Sequence, residues 1–327
     1  MPRDSSVQLP PNLAHAIATE AERVGTKELG QAASELSDAY RARRPIGKNY
    51  IVSDAHRLAY LIARMPATYA AVRSVLGQVA PILSNTQPAS LLDLGAGPGT
   101  ASWAAHDTFA SLNAFTLVEQ DQGLIQMGQT LAHTAHVETL SSADWQCRDL
   151  KTQAPFPESD LVICSYAVGE LDTGSLPHLV EPAWKAAKRA LVIVEPGTVP
   201  GFTRIRAIRD QLIDLGAYIA APCPHATDCP MSGDDWCHFA QRLDRSSLHR
   251  QLKSGSMGHE DEKFSYIAVT REPVSKLPSR VLRHPQRRSG HAHLSLCTEE
   301  GLQQVTVTRS TKADWKRVRK LSWGDSW

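Results

Sequence analysis

No stretch of this sequence stays apolar for the roughly 18 residues that a membrane-spanning helix needs, so no membrane partner is expected. The opening residues Met1-Pro2-Arg3-Asp4 carry no secretory h-region, and a cytoplasmic setting is expected. Neither an internal repeat nor a low-complexity tract is present, which argues against solenoid and disordered architectures. Net charge is nearly missing as well, +1 over 327 residues, but that balance hides an asymmetry. From Arg271 onward there are 12 Lys and Arg against 5 Asp and Glu, a surplus of +7 that leaves −6 on the first 270 residues. A basic tail on an acidic body suits an anionic macromolecular partner. In a reducing compartment the 6 cysteines point to metal or cluster ligation rather than to disulfides.

What is present begins with helices. Apolar residues recur at three- and four-residue spacing over Asn12–Val24 and Thr26–Arg43. Ser53 can cap a third helix that runs to Met65, where Pro66 ends or kinks it, and Ala67–Val79 reads as a fourth. The cluster Tyr40-Arg41-Ala42-Arg43-Arg44 fits either a phosphate contact or the polar end of a helix. From Ser90 to Val194 the pattern alternates between short apolar runs and helical segments. Candidate strands are Leu91–Leu94, Phe115–Val118, Asp144–Cys147, Leu161–Cys164 and Ala190–Val194. Such alternation implies a parallel, doubly wound sheet with its ligand at the carboxyl ends of the strands.

The chemistry of that sheet centres on Leu91-Leu92-Asp93-Leu94-Gly95-Ala96-Gly97-Pro98-Gly99-Thr100. An apolar run meets an acid, and three glycines follow at alternate positions, as when a buried strand feeds a tight turn and a helix N-terminus. A dinucleotide turn would space its glycines G-x-G-x-x-G, whereas here the third comes one residue earlier. The run from Asp93 to Gly99 instead resembles motif I of class I S-adenosylmethionine methyltransferases. That resemblance implies cofactor contacts from Asp93, Gly95, Gly97 and Gly99. It also implies that Glu119, at the end of the second strand, accepts from the ribose hydroxyls, and that Asp149 lies near the adenine amine. No catalytic residue can be named. The stretch Cys164-Ser165-Tyr166-Ala167-Val168-Gly169-Glu170-Leu171 lacks the proline pair of N/D-P-P-Y amino methylases. Cys164 lacks the preceding proline of cytosine-C5 enzymes and reads as a buried structural thiol. Tyr166 and Glu170 should face the cofactor end of the sheet.

Beyond the fifth strand, Cys223, Cys229 and Cys237 follow a C-x5-C-x7-C spacing in a proline-broken segment. Thiols gathered in this way oxidise unless they hold a metal. A fourth ligand could be His225, His238 or Cys297, and zinc would accept either three cysteines with a histidine or four cysteines. Cys223 and Cys229 each precede a proline, a flavour of iron–sulfur ligation. Residue chemistry alone leaves zinc and a cluster open.

Taken together, D-L-G-A-G-P-G-T, S-Y-A-V-G-E-L, V-E-P-G-T-V-P-G-F, C-P-H-A-T-D-C-P and W-C-H-F resemble the Rsm22-type family of mitochondrial small-ribosomal-subunit proteins and their bacterial relatives. The resemblance runs from about Tyr50 to Trp327. It implies a class I S-adenosylmethionine-methyltransferase (Rossmann-like) α/β core with an N-terminal helical segment, a Cys-rich insertion and a small C-terminal β module. It further implies a role in small-subunit assembly and translation, with small-subunit rRNA as partner. The metal would be a [4Fe–4S] cluster on Cys223, Cys229, Cys237 and Cys297 acting as a structural staple, with zinc the alternative. Two activities fit: methyl transfer from S-adenosylmethionine to rRNA, and a non-catalytic rRNA-binding assembly role.

The expected domain bounds are 1–85 for the helical region, 86–270 for the methyltransferase-like domain with its insertion at 221–240, and 271–327 for the basic module. That module reads as short strands over Arg280–His284, His291–Leu296 and Leu302–Thr308, for which an OB-like type is a candidate. Thr311–Lys320 reads as a basic helix, with Trp315, Trp323 and Trp327 available for stacking on bases. Lys263–Thr270 alternates like a strand returning to the sheet edge.

Overall fold

A computed structural model describes residues 6–41, 53–85, 87–152, 155–171, 176–253, 258–275 and 277–327. The basic cluster from 42 to 44 falls outside them, as do the side chains of Tyr40 and Arg41. Three helices open the chain: α1 (Pro11–Val24), α2 (Thr26–Arg41) and α3 (Asp54–Val79). An alternating region follows with β1 (Ser90–Leu94), α4 (Thr100–Thr108), β2 (Ala114–Glu119), α5 (Gln122–Thr134), the short α6 (Glu138–Ser141), β3 (Asp144–Cys147) and β4 (Ser159–Ser165). It continues through α7 (Leu176–Ala186), β5 (Ala187–Pro196), α8 (Val199–Asp214), β6 (Tyr218–Ala221), β7 (Phe239–Asp244), α9 (Ser247–Lys253) and β8 (His259–Thr270). The last part holds β9 (Arg280–Val281), β10 (Gln286–Arg287), β11 (His291–Thr298), β12 (Gly301–Thr308) and α10 (Lys312–Val318). Among the described residues no helix is long and apolar enough to cross a membrane.

The main sheet runs β3-β2-β1-β4-β5-β8-β6, parallel from β3 to β5 and closed by antiparallel β8. Each crossover helix packs back on the sheet, so the inner strands are apolar on both faces. Successive residues of one strand serve opposite layers: Leu91, Leu161 and Ile163 join the core under α3 and α4, whereas Leu92, Val162 and Cys164 join the core under α7 and α8. This is the class I methyltransferase architecture, with the strand order reversing beside β1 and opening a crevice at its carboxyl end.

Two elements depart from the sequence reading. Pro66 sits inside α3, a single helix where two were expected. Leu58, Leu61, Ile62, Met65, Tyr69, Val72, Leu76 and Val79 stay in one helical phase across it, all buried. Each such side chain contributes about 1.5–3 kcal/mol on burial, which outweighs the ~3 kcal/mol cost of an internal proline. Lys263–Thr270 is a strand but not an edge: within β8 it pairs with β5 on one side and with β6 and β7 end to end on the other.

The C-terminal strands form a separate antiparallel sheet, order β10-β11-β12 with β9 also on β11. Its inner face packs Val281, Leu294, Leu296 and Val307 against Val318 and Leu321.

Candidate cofactor turn and thiol cavity

At the carboxyl end of β1, Gly95, Gly97 and Gly99 all take positive φ, at 70°, 56° and 82°. Their crowding differs. A Cβ on Gly95 would come within 2.4 Å of the Ala167 Cβ, so the turns after β1 and β4 abut there. A Cβ on Gly97 would meet nothing within 4 Å. Gly97 therefore borders open space over the turn, where the backbone of a cofactor-binding loop has to be approached. Gly99 caps α4 in the left-handed conformation, and of the helix's first N–H groups Ser102 N–H turns inward to Asp93.

The acids at the strand ends hold this turn. Glu119 Oε2 accepts from Gly97 N at 2.9 Å, and Oε1 accepts from Gln120 N and Asp121 N, both at 2.8 Å. Glu119 thus joins the β1 and β2 turns, with three of its roughly four acceptor sites taken by backbone N–H groups. Asp149 follows the neighbouring β3 half-buried, its Oδ1 accepting from Lys151 N at 3.0 Å. Asp93 lies beneath the turn with no solvent exposure, its Oδ2 accepting from Ser102 N and Oγ at 3.1 and 2.8 Å. Its Oδ1 is buried with no partner. Burial, against the Ser102 bonds and with Glu119 nearby, pushes the Asp93 carboxyl up to about 7.

Several rim residues had no role assigned from sequence. Tyr166 sits just past β4 at φ 57°, rare for a bulky side chain, and its N–H donates to Val194 O at 2.8 Å. Its hydroxyl donates to Glu262 Oε1 at 2.9 Å, and Arg64 of α3 pairs with that oxygen at 3.0 Å. Glu195, fully buried at the end of β5, pairs with Arg204 Nε at 3.0 Å and accepts from Gly169 N at 3.3 Å. Glu170 is reached by solvent but ringed by protein; that surrounding, with Glu119 and Glu195 nearby, pushes its carboxyl up to about 6. Cys164 is buried in β4, its thiol pushed well up by desolvation.

The second site lies beyond β5. Cys223, Cys229, Cys237 and Cys297 line one cavity that opens to solvent. Three come from the insertion between β6 and β7, the fourth from β11 in the C-terminal sheet. Burial and the neighbouring thiols raise Cys223, raise Cys237 strongly, and push Cys297 up to about 12. His225 also lines the cavity, its Nε2 at 3.7 Å from Cys297 Sγ. His238 does not line it; the ring stacks on Trp236 at 4.8 Å and meets Trp323 edge-on at 4.7 Å. Among the described residues, no group of three or more His, Cys, Asp or Glu side chains is arranged to hold a single metal ion. The donor set facing the cavity, four thiols and one imidazole, nevertheless has the chemistry of soft-metal ligation.

The two sites share a strut. Gly197, two residues after Glu195, donates its N–H to Lys263 O at 2.8 Å and accepts from Trp236 Nε1 at 3.0 Å, one residue from Cys237. The E-P-G segment therefore touches the β4 turn at one end and the thiol loop at the other.

A family profile described as "Mitochondrial small ribosomal subunit Rsm22" matches residues 54–327. The chain belongs to the Rsm22 family. It is 26% identical over 286 residues to the human "Ribosome assembly protein METTL17, mitochondrial", covering 82% of this chain and 61% of that protein. It is 25% identical over 327 residues to a Schizosaccharomyces pombe "Rsm22-cox11 tandem protein 2, mitochondrial", covering 84% of this chain and 43% of that one. This Rsm22-family chain thus spans less than two thirds of either relative's length. Among solved structures it is similar to an O-methyltransferase family protein from Burkholderia thailandensis, at TM-score 0.47 and 12% identity over 74% of this chain and 69% of that one. Magnesium protoporphyrin IX methyltransferase from Synechocystis gives TM-score 0.43 and 14% identity over 74% of this chain and 100% of that one.

The relatives correct one expectation. The family description and both Rsm22-type relatives are mitochondrial, which overturns the cytoplasmic setting read from the N-terminus. A missing h-region speaks only to secretion, and keeping thiols reduced does not single out the cytosol.

Proposed function

We propose that this protein binds S-adenosylmethionine over the Gly95–Gly99 turn and methylates RNA of the small ribosomal subunit during its assembly. The observation that carries the reading is the turn itself: Gly97 faces open space with Glu119 bonded to its N–H, on an Rsm22-family chain. Asp93, Gly95 and Gly99 shape the turn, and in this reading Glu119 takes the ribose and Asp149 the adenine, both residues lying at the ends of neighbouring parallel strands. The partner is reached through the basic module. Arg288, Arg309, Lys312, Lys316, Arg319 and Lys320 are exposed there and suited to phosphate. The tryptophans add little to that surface, since Trp323 is buried and Trp315 and Trp327 pack against the module core.

A second reading, assembly without turnover, is favoured by the rim. Glu119 already accepts three backbone bonds, and among the described residues no base–nucleophile pair stands beside the turn. Two measurements on the same variant separate the readings. Gly97→Ala should abolish calorimetric S-adenosylmethionine binding; its Cβ meets no protein atom, so the cost to the fold is the positive-φ strain alone, about 1–2 kcal/mol, and circular dichroism checks that the variant stays folded. In cells, loss of one small-subunit rRNA methyl mark with Gly97→Ala, restored by wild type, supports the enzyme. An unchanged methylation map alongside a subunit-assembly defect would overturn it in favour of the assembly factor.

For the cavity we propose a [4Fe–4S] cluster on Cys223, Cys229, Cys237 and Cys297. Bound there, it would supply a covalent cross-link between the insertion and β11, together with one-electron redox capacity. Zinc on the same thiols, or with His225 replacing one, is the alternative that iron and acid-labile sulfide analysis decides.

A further inference from the structure

Two arginines in the wall of the thiol cavity lie deeper than arginines ordinarily do. Arg209 is 3% exposed and Arg280 4%. Both line the cavity, and among the described residues no Asp or Glu does. Arg209 Nη2 donates to the carbonyl oxygens of His225, at 3.1 Å, and Thr227, inside the loop between Cys223 and Cys229. Its Nη1 reaches Asp210, whose side chain is 54% exposed, and its Nε is buried with no partner. Arg280 donates to Pro222 O at 3.1 Å, Gly324 O at 3.0 Å and Gln78 Oε1 at 2.7 Å, all neutral acceptors. It stands opposite Cys297 in the β9–β11 register.

The rest of the lining is largely apolar, with Phe202, Ile205, Met231, Phe239, Ile267 and Leu282. Guanidiniums are never neutral in a protein, and burying one without an anion costs several kcal/mol. Among the described residues lining the cavity, the groups able to supply negative charge at neutral pH are the thiols, and they do so once ligation deprotonates them. Four thiolates around an oxidised [4Fe–4S] core make a dianion, which two guanidiniums neutralise. Four thiolates around zinc carry the same charge, whereas three cysteines and a histidine around zinc carry one negative charge fewer.

We infer that Arg209 and Arg280 are the built-in counter-charges of a tetrathiolate centre, holding it in its cavity and setting its reduction potential. This rests on the cluster reading above. Reduction adds one electron from the reductant, with no bond made or broken, and turns the dianion into a trianion. Buried cations favour that state, so removing one lowers the potential.

The test is a dithionite titration of the reconstituted full chain, followed by visible absorbance and electron paramagnetic resonance. Wild type is compared with Arg209→Gln, Arg209→Lys, Arg280→Gln and Arg280→Lys, with folding checked by circular dichroism. A glutamine variant should shift the reduction equilibrium at least tenfold toward the oxidised form, about 59 mV for one electron, or lose iron and sulfide while staying folded. Each lysine variant, keeping the charge, should stay closer to wild type than its glutamine counterpart. If wild type takes up no iron and sulfide, the cluster reading fails and the inference falls with it. If wild type is loaded and the folded glutamine variants match it in potential and iron content, or lysine and glutamine variants fall equally, the inference alone is overturned.

Discussion

A carboxyl that is buried with one oxygen unpartnered ties the fold to pH, and Asp93 is such a group. Its folded pKa of about 7 lies above the ordinary 3.8. Between those values the native state holds a proton that the unfolded chain releases. Its contribution is therefore fully present below about pH 4 and is lost as pH rises toward 7, at ~1.4 kcal/mol per unit. Asp93→Asn keeps an acceptor for Ser102 and removes the charge. Its melting temperature relative to wild type should climb from pH 5 to about pH 7 and level off above; a gap that does not change with pH would refute the burial argument. The acid and its glycines were legible in sequence because a strand–turn–helix junction fixes them at short spacing. Glu119 and Asp149 followed because parallel strands end at one rim. Arg209 left a fainter trace: it continues the apolar stripe Phe202, Ile205, Ile208 and Leu212 of α8, an odd place for a charge. Arg280 left none, since its meaning comes from pairing with Cys297 across β9 and β11.

At the scale of elements, Glu195 decides how the β4 turn is held. The carboxylate is sealed at the end of β5, and its two oxygens bind α8 through Arg204 and the Val168–Glu170 turn through Gly169. Burial raises its pKa, while Arg204 and the turn N–H groups pull it back. Breaking a buried pair from one side typically costs about 3–5 kcal/mol, less where one partner is partly exposed, as Arg204 is at 24%. Glu195→Ala should lose roughly 2–4 kcal/mol in urea unfolding. Amide exchange at Val168–Glu170 should quicken more than at α5, which Glu195 does not touch. Uniform quickening across the protein would instead mean that Glu195 only stabilises the fold. The E-P-G segment was visible in sequence as a signature, but its task was not, because it depends on a turn 26 residues earlier in the chain. The continuity of α3 was readable in principle. The phase of its apolar stripe persists through Pro66, and local proline chemistry outweighed that longer-range signal in the sequence reading.

Across the whole molecule, the question is what holds the C-terminal module to the core. Cys297 alone would make the thiol cavity the sole joint, but other contacts span the same gap without metal. His238, stacked on Trp236 within the insertion, meets Trp323 of the module edge-on, and His284 of the module packs edge-on against Trp323 at 5.1 Å. Arg283 lies over Trp323 and pairs with Asp235 of the insertion. Arg280 reaches back to Pro222 and to Gln78 near the end of α3. The aromatic pair that crosses, His238–Trp323, is worth about 0.5–1.5 kcal/mol beyond the area it buries. A metal centre here would therefore strengthen a joint that already exists. Chelating the metal, or replacing Cys297 with Ser, should lower the melting temperature yet leave residues 271–327 protected from limited proteolysis. Adding Trp323→Ala to the chelated protein should remove that protection and release the module as an early fragment. Release of the same fragment by chelation alone would show that the cavity carries the joint, and that the aromatic ladder merely rides on it.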